Sequence, residues 1–297
     1  MKTVLRIATR VLFKPLLAPW VPLAVQRQGA KAASLLSKTP RGTLSSKLDM
    51  NGVPALRVHA PAAEAGKAVL LLHGGAYVLG GPASHTGLAA HLGQAGGAEA
   101  YLPDYRLAPE HPYPAALDDA LASYRWLLQQ YQPGQLVIAG DSAGGNLTLA
   151  TAIAIREAGL PLPAALVLIS PWLDLSLGGA SIRKRARRDP MLRASWIGAC
   201  AKLYAGGVAL DDPRISPLFG DLKGLPPMMI HVGSEEILFS DAERLAQRAG
   251  AAGVKVRLHV FDGLWHDFQL NAGLMAEADA SIAELGKFMR KRFGTSV

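Results

Sequence analysis

The chain has 297 residues, half of them hydrophobic and 18 % charged, which excludes a disordered or coiled-coil protein and suffices for one large domain or two small ones. Its net charge of +8 is unevenly spread: residues 1–48 hold nine Lys or Arg and no acid, Arg183 to Arg193 holds six bases against Asp189, and everything else carries −6. That distribution excludes a uniformly basic, nucleic-acid-coating protein and describes a mildly acidic body with two basic inserts.

The opening residues, MKTVLRIATRVLFKPLLAPWVPLAV, set Lys2, Arg6, Arg10 and Lys14 every four residues opposite Val4, Leu5, Ile7, Val11 and Leu12. This pattern predicts an amphipathic helix that packs on its own protein body, with peripheral contact to an anionic membrane as a second use. Its bases and three prolines break the uninterrupted apolar stretch of a signal peptide. No apolar run reaches the roughly 18 to 20 residues of a spanning helix. Cys200 is the single cysteine and has no mate for an internal disulfide, so the expected setting is the reducing cytoplasm.

From residue 43 the chain reads TLSSKLDMNGVPALRVHAP, two partly alternating runs joined by Asn51-Gly52, the dipeptide that best supplies the positive φ of a tight hairpin. Short apolar runs then alternate with longer helical ones. Further strands are predicted from Ala68 to Leu72, Ala98 to Pro103, Leu136 to Ala139, Ala165 to Ile169, Met228 to Val232 and Val254 to Phe261. Between them lie SHTGLAAHLGQAGG, AALDDALASYRWLLQQYQ, AGGNLTLATAIAIREAG and DAERLAQRAGAAG, each with helical apolar spacing. Repeated strand, helix, strand predicts an α/β fold whose mostly parallel sheet is covered on both faces. Residues 1–42 and 171–225 fit poorly, the second being too long for a loop. Both are expected to be helical cap segments packed together as a lid, with 43–170 and 226–297 forming the two parts of the core.

The stretch GDSAG places Ser142 between a buried strand and a helix. Gly-x-Ser-x-Gly there predicts a sharp, strained turn that exposes the serine Oγ at the carboxyl end of the sheet, near a helix N-terminus. The pentapeptide alone is weak, and its partners make the case. After an earlier strand, HGGAY offers the backbone N–H groups of Gly75 and Ala76, which with that of Ala143 suit an oxyanion hole. A phosphate loop is excluded because no Gly-Lys-Ser/Thr follows these glycines. His73 is read as a strand-end residue bonding the loop backbone. His59, His85, His91, His111, His231 and His259 share no spacing that suggests a metal site. His266, the last histidine of the chain, follows the final predicted strand and suits a general base for Ser142. The orienting acid is expected after the preceding strand, where Glu235, Glu236 and Asp241 are available; Glu236 is favoured by its distance from the strand end, and Asp241 resembles a helix N-terminal residue.

HGGAY, YLPDYRLAPEHPYPAALDD, GDSAGGNL, ISPWLDL, DPRISPLFGDL and DGLWHDF, in this order, resemble the hormone-sensitive-lipase-like esterases of the α/β-hydrolase superfamily, from about Leu44 to Phe288. The resemblance implies an eight-stranded, mostly parallel sheet with a helical cap. It implies a cofactor-free carboxylesterase acting on short- to medium-chain esters, with no metal, Ser142 as nucleophile, His266 as base, and the oxyanion site at Gly75, Ala76 and Ala143. Homodimers are common among similar bacterial enzymes. Two departures stand out: the usual His-Gly-Gly-Gly ends in Ala76, and Glu236-Ile237-Leu238 stands where Asp-Pro-Leu is usual. By similarity Asp104, Arg106 and Glu110 form a buried polar network bracing the oxyanion loop, and Asp141 is structural. Leu16, Leu17, Trp20, Trp172, Met191 and Trp196 suggest an apolar pocket. The rival readings are a catalytically silent ligand-binding relative and an amide or acetyl-group hydrolase of the same family.

Overall fold

A computed structural model describes residues 1–34 and 37–294. Strands β1 (Leu44–Asp49) and β2 (Pro54–His59) form the antiparallel hairpin, turned at Asn51 and Gly52 with φ of 59° and 87°. The others are β3 (Ala68–Leu72), β4 (Glu99–Pro103), β5 (Leu136–Asp141), β6 (Ala165–Ile169), β7 (Met228–Gly233) and β8 (Val256–Phe261). They make one eight-stranded sheet in the order β1-β2-β4-β3-β5-β6-β7-β8, in which only β2 runs against its neighbours. Strands β3 to β7 are buried along their whole length. Their continuous apolar runs reflect burial on both faces of a parallel sheet.

Two strands start later than the pattern predicts, for one reason. Ala98 N–H donates to Gly93 O and Val254 N–H to Ala249 O, each at 2.9 Å, so these residues close the preceding helix before the strand begins.

The helices are α1 (Lys2–Ala8), α2 (Leu23–Ser34), α3 (Pro82–Gly96), α4 (Ala115–Leu128), α5 (Ala143–Glu157), α6 (Ser181–Lys184), α7 (Ala194–Ala205), α8 (Phe239–Ala251) and α9 (Ala276–Arg292). Apolar residues of α4, α5 and α8 join the core on one face of the sheet, and those of α3 and α9 the core on the other. Helix α9, which the sequence pattern does not single out, meets α3 so closely that a Cβ on Gly286 would lie 2.4 Å from Ala95.

The opening helix packs on the body as expected, but by its charged side. Lys2 Nζ donates to Asp262 O (3.3 Å), Arg6 to Gly263 O and to Glu235 (both 3.3 Å), and Lys14 Nζ to Ala186 O (3.1 Å) and Asp189 O. Val4, Ile7 and Val11 face outward. A wider π-helical turn spans Thr9–Phe13, two residues short of Pro15, which has no N–H to give to the ladder. The opening segment also meets the insert after β6: Arg193 Nε donates to Lys14 O (2.9 Å) and Trp196 Nε1 to Gln26 Oε1 (2.7 Å). Asp189, fully buried in that insert, accepts from Met191, Leu192 and Ile237 N–H at 2.8–3.0 Å. Among the described residues no helix is long and apolar enough to cross a membrane.

Candidate active site

Ser142 links β5 to α5 with φ 52° and ψ −118°, a conformation that L-residues adopt only where the surroundings enforce it. The enforcing contacts are tight. A Cβ on Gly140 would lie 2.2 Å from Gly144 O, and one on Gly144 would lie 1.9 Å from Leu72 O, so only glycine lets strand, turn and helix cross here.

His266, in the turn after β8, reaches back to this serine. Its Nε2 lies 3.0 Å from Ser142 Oγ and its Nδ1 3.2 Å from Glu236 Oε2. Glu236 is wholly buried, and its other oxygen accepts from Ser170 Oγ (2.7 Å) and Gly233 N–H (2.5 Å). The remaining candidate acids point elsewhere. Glu235 pairs with Arg6 at 3.3 Å and Arg188 at 3.9 Å. Asp241, in the first turn of α8, accepts from Leu173 and Asp174 N–H at 2.8 and 3.0 Å; burial pushes its carboxyl up to about 7.

Sequence reasoning missed Asp267. Its φ of 52° turns the side chain back beside its neighbour, placing Oδ2 2.9 Å from His266 Nε2. Burial raises the Asp267 carboxyl to about 7. Burial also disfavours the imidazolium of His266, but Asp267 and Glu236 outweigh it and hold the imidazole well above its ordinary value. Only the backbone twist brings this carboxylate into play, and a residue list does not carry it.

Gly75 has φ 123° and Ala76 φ 53°. Among the described residues no protein acceptor takes the N–H of Gly75, Ala76 or Ala143. Asp141 lies behind this loop, accepting from Gly74 N–H (3.1 Å) and contacting His85 Nε2 (3.1 Å), in the structural place expected of it. His73 bonds Gly74 O at 2.8 Å, as expected; burial lowers it to about 3.

The expected network of Asp104, Arg106 and Glu110 is not buried, because all three side chains face solvent. Arg106 pairs with Asp119 at 2.7 Å and Glu110 with Arg27 at 2.7 Å. The loop is braced instead by Tyr105, whose hydroxyl donates to His73 O (2.6 Å), and by Arg27 of α2, which donates to Val78 O (2.8 Å) and Ala108 O (3.0 Å). The motif marks the right segment, but its aromatic residue carries the contact.

A cavity of about 220 Å³ reaches Gly75 and Asp267 and is walled by Leu5, Leu12, Phe13, Leu16, Leu17 and Met191. Three of the residues expected there do not line it: Trp20 is 72 % exposed, while Trp172 and Trp196 are buried in the core. A larger cavity, about 530 Å³, lies beyond the loop between Arg27, Lys47 and Asp104, away from Ser142. Burial pushes the Cys200 thiol up to about 12, so it stays protonated.

Residues 69–270 match the model of a family with the alpha/beta hydrolase fold. The chain is 41 % identical over 271 residues to the putative acetyl-hydrolase LipR of Mycobacterium tuberculosis, covering 91 % of this chain and 85 % of that protein. It is 44 % identical over 235 residues to an acetyl-hydrolase of Streptomyces hygroscopicus, with 79 % of each covered. Among solved structures it superposes on EstE5, soaked with p-nitrophenyl butyrate, with a TM-score of 0.94 and 40 % identity over 99 % of this chain and 98 % of that one. An esterase of the bacterial hormone-sensitive lipase family gives a TM-score of 0.93 at 38 % identity, over 99 % and 97 % of the two chains. With these likenesses covering nearly the whole chain, it belongs to the hormone-sensitive-lipase family of esterases within the α/β-hydrolase fold.

Proposed function

We propose that the enzyme hydrolyses short- to medium-chain carboxylic esters through a Ser142-His266-Glu236 triad and a covalent acyl-enzyme. Ser142 Oγ attacks the ester carbonyl while His266 Nε2 takes its proton, and the N–H groups of Gly75, Ala76 and Ala143 bind the oxyanion. The proton passes to the leaving alcohol, and water, activated by the same imidazole, releases the acid and regenerates the serine. Glu236 keeps the imidazole oriented and stabilises its charged form. The observation that supports this reading most is the unbroken relay of hydrogen bonds from Ser142 through His266 to a fully buried Glu236.

The test is release of p-nitrophenol from acetyl, butyryl, octanoyl and palmitoyl esters by the wild type and by Ser142→Ala. Turnover of the short esters that falls by several orders of magnitude in the variant is the expected result. Equal inertness of the two proteins would favour a ligand-binding relative.

The outward apolar stripe favours a second element of function, docking of the cap formed by the opening segment and the insert on an anionic lipid surface. Val4 (65 % exposed), Val11 (62 %) and Trp20 (72 %) stand in water beside the exposed bases Arg10, Arg187 and Arg188, the combination that binds lipid interfaces. Co-sedimentation with vesicles containing a third anionic lipid, lost in Val4→Ser/Val11→Ser and at high salt, is the expected outcome. Loss of a dimer in that variant, with no vesicle binding by the wild type, would instead assign the stripe to a second copy of the chain.

A further inference from the structure

Away from the serine, His231, His259 and Glu284 converge, their nearest nitrogen and oxygen atoms all lying within 4.8 Å of one another. They come from three elements. His231 on β7 and His259 on β8 are direct cross-strand partners, so both project to the same face of the sheet. Glu284 comes down onto them from α9.

Each group is held by a neighbour. His231 is fully buried, with Nδ1 2.8 Å from Ser281 Oγ, which in turn accepts from Gln269 Nε2 at 3.1 Å. The His259 ring stacks on Phe261, with centroids 4.1 Å apart and planes 15° from parallel. Glu284 gives one oxygen to Arg257 (3.3 Å), and its other oxygen bonds His259 Nδ1. That second oxygen also faces His231 Nε2 at 3.7 Å, and His231 Nε2 is a buried polar atom with no hydrogen-bond partner.

A buried polar nitrogen without a partner is uncommon in folded proteins and asks for an explanation. When His231 Nδ1–H donates to Ser281, the lone pair on Nε2 points at a carboxylate oxygen. Two lone pairs facing each other repel unless a cation lies between them. Metal-binding histidines are likewise oriented through their other ring nitrogen, usually by a carboxylate, a backbone carbonyl or water, and Ser281 Oγ holds His231 in the same way.

We propose that His231 Nε2, His259 Nδ1 and Glu284 Oε2 form a binding site for a divalent cation of the zinc class, with solvent as the fourth ligand. Two imidazole nitrogens and one carboxylate suit zinc and its neighbours better than magnesium or calcium, which prefer all-oxygen shells. Metal–ligand bonds of roughly 2.0–2.1 Å put tetrahedral ligand atoms roughly 3.3 Å apart, a small adjustment from the present spacing. His259, half-exposed, supplies the way in. The bound ion would tie α9 to the open edge of the sheet. Through Ser281 and Gln269 it would also steady the turn Phe268–Asn271, which begins two residues after His266.

The experiment is calorimetric titration of chelator-stripped protein with zinc chloride, using the wild type, Glu284→Gln, His259→Ala and His266→Ala. Expected is one saturable site per chain in the wild type and in His266→Ala, weakened at least a hundredfold in the other two. Thermal melts in chelator establish that each variant is folded. Zinc at a hundredfold excess over Kd should raise the wild-type Tm by about 5 °C and leave Glu284→Gln unmoved. Absence of saturable binding in the folded wild type overturns the proposal. So does equal affinity in Glu284→Gln and His259→Ala, which would assign the binding to other surface histidines, or loss in His266→Ala alone, which would assign it to the active site.

Discussion

Two carboxylates meet the imidazole of His266 from different sides. Glu236 takes Nδ1, whereas Asp267 takes Nε2 at 2.9 Å, the same nitrogen that faces Ser142 at 3.0 Å. Together they hold the imidazole well above its ordinary value, against the effect of burial. A general base must be neutral to accept the serine proton, so a raised value moves the acidic limb of the rate profile to higher pH. Removing one carboxylate has the opposite sign. Asp267→Asn is expected to shift the acidic limb of kcat/KM for a butyrate ester to lower pH. A profile that does not move would show that Asp267 exerts no hold on the base. Ser142, His266 and Glu236 were all legible as residue types at particular places in the chain, since motif and chain order carry that information. Asp267 was not, because its position beside His266 depends on one left-handed residue.

Helix α2 reaches the loop that follows β3 through Arg27. The Arg27–Glu110 pair is largely solvated and contributes little, whereas the bonds to Val78 O and Ala108 O fix the loop that, in the proposed mechanism, presents backbone N–H groups to the oxyanion. Arg27→Met is therefore expected to lower kcat for the butyrate ester about tenfold, equivalent to about 1.4 kcal/mol, with little change in KM or melting temperature. A loss confined to stability would assign Arg27 to packing. At α8, Asp241 keeps its proton up to about pH 7 in the fold, while the unfolded chain releases it near pH 4. The folded pKa lies above the unfolded one, so the wild type loses stability relative to Asp241→Asn as pH rises from about 4 to 7, by at most about 1.4 kcal/mol per unit, and levels off above. Urea unfolding at several pH values measures that slope, and a difference independent of pH would refute it. At this scale the strands and most helices were legible from apolar periodicity and glycine punctuation. The orientation of α1 was not: a helix with two distinct faces says nothing about which one turns inward, and here backbone carbonyls and acids from distant segments capture the charged one.

For the molecule as a whole, the cavity beside Gly75 and Asp267, which we propose takes the acyl group, is walled largely by residues outside the sheet: Leu5, Leu12, Phe13 and Leu16 from the opening segment and Met191 from the insert. At about 220 Å³ it falls below the ~300–1,000 Å³ of sites for drug-sized ligands. Short acyl chains should accordingly be preferred. Phe13→Ala is expected to move the optimum in the p-nitrophenyl ester series toward longer chains, each added methylene that is accommodated contributing about 1–3 kcal/mol. An unchanged profile would place the acyl group elsewhere, with the cavity beyond the loop as the next place to look. Composition identified three of the six expected wall residues. It misplaced the tryptophans, because a large apolar side chain near a site is as readily core or surface as lining.

The anchoring of the opening segment has a consequence for how the enzyme is made. Lys2, Arg6 and Lys14 hold on to Asp262, Gly263 and Ala186, residues 260, 257 and 172 positions further along. At 5–20 residues per second a ribosome needs roughly ten to fifty seconds to reach the farthest of them. A segment that leaves the ribosome early is thus fastened only once residues 262 and 263 have been made, and the wall of that cavity is completed only after the strand that precedes His266 has been translated.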